Sequence, residues 1–235
     1  MLKLSVVVPA YNEAPTIEKL LGKVLAVSFP VPVEIVVIDD HSTDLTHSLC
    51  EKVMTLNPGR EIKLLRNEVN RGKGLSIQRG LEIASGDVVV VQDADFEYDP
   101  AEIPTLLEPI LEGKVSVVYG SRFLNRSRPD GMALPNFIAN KFLTWLTNIL
   151  YGASLTDMET CYKLIKTDVL RSITLKADRF DFEPEVTTKI LQKKLPIQEL
   201  PISYHGRGAG EGKKIKARDF FIAIRVLLRN LFVRP

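Results

Sequence analysis

Short runs of β-branched residues, each followed by a segment of helical periodicity, constrain this chain more than any other feature. The runs are Leu4 to Val8, Val33 to Ile38, Ile62 to Leu65 and Asp87 to Val91. Continuous apolar runs of this length suit strands buried on both faces, as in a parallel sheet. Between the first two, Ile17, Leu20, Leu21, Val24 and Leu25 recur at helical spacing, with Pro15 where a first-turn proline is tolerated. Leu45, Leu49 and Val53 repeat the pattern after Ser42 to Asp44, which read as cap residues, and Leu75 to Ala84 gives a third helix closed by Ser85-Gly86. Repeated strand–helix units require right-handed crossovers, and so predict an α/β fold with a doubly wound, mostly parallel sheet. Its ligand cleft should lie at the C-terminal ends of the strands.

The alternation continues with a helix over Ile103 to Leu111 and a strand over Val115 to Tyr119, then loosens. Helices are predicted at Phe137 to Leu150, Glu183 to Lys193 and Asp219 to Phe232, and strands at Tyr162 to Ile165 and Ile197 to Tyr204. A glycine-rich basic loop, HGRGAGEGKKIKAR, precedes the last helix. At 235 residues, with no linker or internal repeat, the chain reads as one domain over 1–235. Residues 1–122, with the regular strand–helix units, read as one half of it and 123–235 as the other.

A formal charge of +2 is too small for whole-surface binding to nucleic acid, so none is expected as a partner. The charge is instead local: from Arg207 onward eight basic residues stand against two acidic ones. Cys50 and Cys161 have neither zinc nor disulfide spacing, which fits a reducing, cytoplasmic compartment. The N-terminus opens on a strand-like run rather than a secretory leader, and no window of roughly 18 apolar residues predicts a membrane span.

Chemistry concentrates where the strands end. VVVVQDADFEYDP places Asp93, Asp95 and Glu97 just beyond a buried strand, and hard carboxylate oxygens there suit Mg2+ or Mn2+. VVVPAYNE sets Pro9, Tyr11 and Glu13 after the first strand, and VVIDDHSTD sets Asp40 after the second. Acidic side chains in these places can accept hydrogen bonds from a base or ribose, and Tyr11 can pack on a base. Lys73, between Gly72 and Gly74 at a helix start, can meet a diphosphate by charge and helix-terminal amides, or be part of a plain turn. Neither GxGxxG nor GxxxxGK[ST] occurs, which argues against a dinucleotide-dependent dehydrogenase and a P-loop enzyme.

In order and spacing, VVVPAYNE, VVIDDHSTD, NRGKG, DADF and YGSRF resemble family 2 glycosyltransferases of the GT-A fold. LTDMETCYKL, RFDFEPEVTTKI and PISYHGRGAGEGKKI extend the likeness over nearly the whole chain, toward the dolichol-phosphate mannosyltransferase and polyprenyl-phosphate glycosyltransferase branch. The QxxRW motif of processive members is absent, and several relatives continue into membrane helices beyond this region. The resemblance implies that Pro9, Tyr11, Glu13, Ile38, Asp40, Lys73, Asp93 and Ala94 hold the nucleotide. Asp95 and Glu97 would hold the metal, and Arg122, Arg207, Lys213 and Lys214 the acceptor phosphate, with Asp95 and Arg122 carrying the reaction.

The implied reaction moves a hexose with inversion from a GDP-mannose or UDP-glucose type donor to a polyprenyl or dolichyl phosphate. A phosphate monoester is already anionic near neutral pH and needs no general base. A hydroxyl acceptor would need one, and Asp157 or Glu159 would then serve. A sugar nucleotidyltransferase or a non-catalytic nucleotide-binding module on the same fold are the remaining readings. The segments NFIANKFLTWLTNILYG and FFIAIRVLLRNLFVRP combine apolar faces with arginine, and so predict peripheral contact with the cytosolic face of a membrane as well as core packing.

Overall fold

The computed structural model describes residues 2–125, 128–179, 181–206 and 217–233. Seven strands form one sheet: β1 (Leu4–Ala10), β2 (Val33–Asp39), β3 (Glu61–Arg66), β4 (Val88–Val91), β5 (Val117–Ser121), β6 (Lys163–Lys166) and β7 (Gln198–Pro201). Their spatial order is β3-β2-β1-β4-β6-β5-β7. Pairings among β1 to β4 and between β5 and β7 are parallel, whereas β6 runs antiparallel to both its neighbours. β5 thus points the same way as β4, and the C-terminal ends of β1, β2, β4 and β5 share one edge.

Val6, central in β1, pairs with Ile35 of β2 and Val90 of β4, and all three side chains are buried. The flanking helices are α1 (Ile17–Ala26), α2 (Thr46–Leu56), α3 (Lys73–Ile83), α4 (Ile103–Leu111), α5 (Leu134–Tyr151), α6 (Thr167–Arg171), α7 (Phe182–Gln192) and α8 (Ala217–Asn230). α3 lies close on the sheet because Gly80 faces it: a Cβ there would sit 2.5 Å from Val7 Cγ1. A smaller apolar cluster, with Leu143, Met158 and Leu227, joins α5 to α8.

Several boundaries differ from the sequence reading for local reasons. α5 starts three residues earlier than predicted, with Pro135 in its first turn, where its missing N–H costs nothing. The strand expected over Ile197 to Tyr204 is paired only at Gln198–Pro201, because β7 is an edge strand held by β5 alone. The short α6 was not foreseen. Leu45 stands at the N-cap of α2; Asp44, just before it, accepts from Thr46 N at 2.9 Å at the helix start, and Ser42 Oγ accepts from Asn12 N at 3.0 Å and ties the end of β2 to that of β1.

Candidate active site

The strand ends open on a cavity of about 1310 Å3. Pro9, Tyr11 and Glu13 reach it from β1, Asp40 from β2, Asp93, Ala94, Asp95 and Glu97 from β4, and Arg122 from β5. From β2 to β5 is four inter-strand steps, a span of roughly 19 Å at about 4.8 Å each. The acidic end of β4 lies between those limits.

The β2 end is built by hydrogen bonding. Asp40 Oδ1 accepts from Asn67 Nδ2 at 2.7 Å and Arg71 N at 2.9 Å, and Oδ2 accepts from Gly72 N at 2.7 Å. Asp40 therefore shapes the loop that carries Lys73. Gly72 has φ of 95°, and a Cβ there would meet Asp178 O at 2.6 Å, so this turn requires glycine on both counts. At the β1 end, Thr16 Oγ1 lies 2.9 Å from Glu13 Oε2 and 2.8 Å from Ala94 O, linking β1 to β4. Ile38 departs from expectation: its side chain is fully buried and does not line the cavity, because it lies inside β2, short of the strand end, and packs beneath α3 near Gly80.

Lys73 is the hub of the acidic centre. Its Nζ lies 2.8 Å from Asp93 Oδ1 and 2.9 Å from Glu183 Oε1, the latter from α7. Burial works against the ammonium, but Asp93, Cys161 and Glu183 outweigh it and raise the Lys73 pKa well above its usual value. Asp95 is 8% exposed and its Oδ1 accepts from Glu97 N at 3.0 Å. Among the described residues no three Asp, Glu, His or Cys side chains converge as a complete metal cage. A pair of carboxylates beside open space still fits Mg2+ or Mn2+, which commonly takes one or two protein carboxylates and leaves its other positions to phosphate and water.

On the other side, the buried Arg122 forms a two-point ion pair with Asp157: Nε to Oδ2 at 2.7 Å and Nη2 to Oδ1 at 2.8 Å. The guanidinium is flanked by Phe123 and Tyr204, at 5.4 and 5.3 Å from the ring centroids, and Nη2 also donates to Asn140 Oδ1 at 3.2 Å. Asp157 is fully buried and held from behind, its N–H donating to Glu199 Oε1 at 3.0 Å. Glu159 lines the cavity. Its pKa is raised to about 8 by burial first and then by Glu183, against Lys163 and Arg122. The two proposed bases are thus differently placed: Asp157 is committed to Arg122, and Glu159 holds its proton more tightly than an ordinary carboxyl. Arg207, Lys213 and Lys214 lie outside the described residues.

Sequence reasoning missed Glu183 as the second partner of Lys73. Glu183 stands in the first turn of α7, where acids are commonplace, so no sequence signal marked it. It also missed Tyr204, whose place against Arg122 depends on the chain returning past Glu97 through the His205 N to Glu97 O hydrogen bond of 3.0 Å.

The family model described as "Glycosyl transferase family 2" matches residues 5–174. The chain belongs to this family. Relatives among characterised proteins include a dodecaprenyl-phosphate galacturonate synthase of Rhizobium johnstonii, 26% identical over 99% of this chain and 68% of its own length. A dolichol-phosphate mannosyltransferase of Pyrococcus furiosus is 28% identical over 97% of this chain and 63% of its own length. The chain spans about two thirds of the length of these relatives. Glucosyl-3-phosphoglycerate synthase of Mycobacterium tuberculosis, solved with Mn2+, uridine diphosphate and glucosyl-3-phosphoglycerate, superposes with a TM-score of 0.74 at 19% identity. That match covers all of this chain and 81% of the other, and establishes the GT-A type fold.

Proposed function

We propose that this family 2 glycosyltransferase transfers a hexose from a nucleotide sugar to a polyprenyl phosphate, with inversion, using Mg2+ or Mn2+. The observation that carries this reading is Arg122, a buried cation presented to the same cavity as the acidic end of β4 but two strands away from it. A guanidinium held rigidly and lined by apolar rings suits a phosphate attached to a hydrocarbon. The kinds of substrate named for the relatives above agree with it.

In this reading Pro9, Tyr11, Glu13 and Asp40 bound the nucleoside end, and Lys73 and Asp93 the diphosphate end. Asp95 and Glu97 would hold the divalent ion, which when bound supplies positive charge to a departing diphosphate. Arg122 orients the acceptor so that one phosphate oxygen faces the anomeric carbon. That oxygen forms the new bond to carbon as the bond to the diphosphate oxygen breaks, and the electron pair leaves with the nucleoside diphosphate. No proton need be removed from a phosphate acceptor, and Asp157 is engaged with Arg122.

A place at the cytosolic face of a membrane belongs to the same proposal. Leu134, Ile138, Phe142, Trp145 and Ile149 are exposed along one face of α5, and Phe221 is exposed on α8. Leu134, Ile138, Phe142 and Phe221 also line the cavity. Among the described residues no helix is long and apolar enough to cross a membrane. The test is product identification by mass after incubation with a panel of nucleotide sugars, Mg2+ or Mn2+, and a polyprenyl phosphate. A glycosyl phospholipid with release of nucleoside diphosphate is expected. Transfer to 3-phosphoglycerate and not to polyprenyl phosphate would overturn the reading.

A further inference from the structure

The segment from Gly152 to Tyr162, which enters β6, presents alternate residues to different parts of the site. Asp157 grips Arg122, where the acceptor is placed. Cys161 Sγ lies 3.9 Å from Lys73 Nζ, where the diphosphate is placed. Glu159 lies between them in the chain, and its charged neighbours include Arg122 and Asp157 on one side and Glu183, the partner of Lys73, on the other. Its Oε1 is out of reach of solvent and has no hydrogen-bond partner among the described residues, while the residue lines the cavity. The backbone here is held hard: the buried Lys163 donates its Nζ to Met158 O at 2.8 Å and to Thr160 O at 2.5 Å, on either side of Glu159. A carboxyl oxygen buried without a partner is costly, and costlier still when the backbone carrying it is fixed in place, unless a ligand completes it.

Resting on the glycosyl-transfer reading above, we infer that Glu159 is a specificity-determining residue that hydrogen-bonds a hydroxyl of the transferred hexose. The hexose is the only part of the donor that lies between diphosphate and acceptor, and a hydroxyl can donate to a carboxyl oxygen or accept from a protonated one. The raised pKa agrees with this role, because a protonated carboxyl offers both a donor and an acceptor to a sugar hydroxyl. A site that hydrogen-bonds a substrate hydroxyl also rejects analogues lacking it strongly, since the buried partner is then left unpaired.

The experiment compares the wild type with Glu159→Gln, which keeps the size, and Glu159→Ala. Each is titrated with nucleoside diphosphate, with the preferred nucleotide sugar, and with analogues of that sugar each lacking one hexose hydroxyl. Affinity for nucleoside diphosphate should stay within about 2-fold, while one deoxy analogue should bind the wild type on the order of 10-fold more weakly and bind Glu159→Ala no worse than the parent sugar. Discrimination between hexose epimers in kcat/KM should shrink in both variants. The inference is overturned if every deoxy analogue shows the same ratio in wild type and variants, or if nucleoside diphosphate affinity falls in parallel. If the wild type neither binds nor turns over any nucleotide sugar, the glycosyl-transfer reading itself fails. Thermal melting of the isosteric Gln variant separates misfolding from lost recognition.

Discussion

Arg122 and Asp157 meet through two parallel hydrogen bonds, at 2.7 and 2.8 Å, and both side chains are buried. The pair sets the charge that an acceptor would meet: a guanidinium already half neutralised, and fixed in direction. Asp157→Ala leaves a buried cation without its counter-charge, for which a loss of about 3–5 kcal/mol in unfolding free energy is expected. Arg122→Lys keeps the charge but not the two-point geometry. Transfer should fall by ~10-fold or more, read as a raised KM for polyprenyl phosphate with nucleoside diphosphate binding unchanged. Equal loss of donor and acceptor binding would place Arg122 on the donor side instead.

Asp95 offers the sharpest test of metal use. Asp95→Asn keeps the shape of the β4 end and removes one anionic oxygen, so transfer should drop by ~10²-fold or more, the usual size for one electrostatic group acting on a developing charge. Chelation of divalent ions should abolish turnover and addition of Mg2+ or Mn2+ restore it. Undiminished transfer in excess chelator would remove the metal from the proposal.

Much of the fold was legible because its strands are buried on both faces, and runs such as VEIVVI and DVVVV admit few other structures. The antiparallel insertion of β6 between β4 and β5 was not, since strand order depends on packing between distant segments. Glu34 shows the limit from the other side: it lies fully buried within a strand, satisfied by Ser5, Lys63 and Ser85, none of them near in sequence. In the site, residues directly after strands were placed correctly at the cleft, because strand direction alone puts them there. Residues arriving from helices and returning loops, such as Glu183 and Tyr204, needed the three-dimensional path. Ile38 lies within the strand, where both faces of the sheet are covered, and its side chain packs beneath α3 near Gly80, whereas Asp40 stands just beyond the strand end.

The raised pKa of Glu159 has a measurable consequence for stability. Folded protein holds this proton up to about pH 8, because burial and then Glu183 disfavour the carboxylate, whereas the unfolded chain releases it near the ordinary carboxyl value of 4.5. Between those values the folded state binds more protons, so stability falls as pH rises, by up to about 1.4 kcal/mol per unit. Glu159→Gln lacks that slope. Its unfolding free energy relative to the wild type should improve from pH 5 to pH 8 and level off above, where Lys163, lowered to about 8 by burial, begins to titrate. A pH-independent difference in denaturant midpoint would show that Glu159 ionises normally.

The exposed faces of α5 and α8 provide the test of membrane contact. Trp145 is 56% and Phe221 69% exposed, and Phe142 packs against both Trp145 and Phe220, so the rings form one surface across the two helices. Burying one such side chain in an apolar medium is worth about 1.5–3 kcal/mol, so replacing it by glutamate should weaken vesicle binding by ~10-fold or more. Trp145→Glu and Phe221→Glu are both substitutions at exposed positions, and their folding should be little affected. In co-sedimentation with lipid vesicles each variant should partition less than the wild type, and the pair together least. Turnover of a long-chain polyprenyl phosphate in vesicles should fall in step, while turnover of a short, water-soluble isoprenyl phosphate should be retained, because the phosphate still meets Arg122. Loss of both activities with vesicle binding intact would instead make this face part of the packing that shapes the cavity.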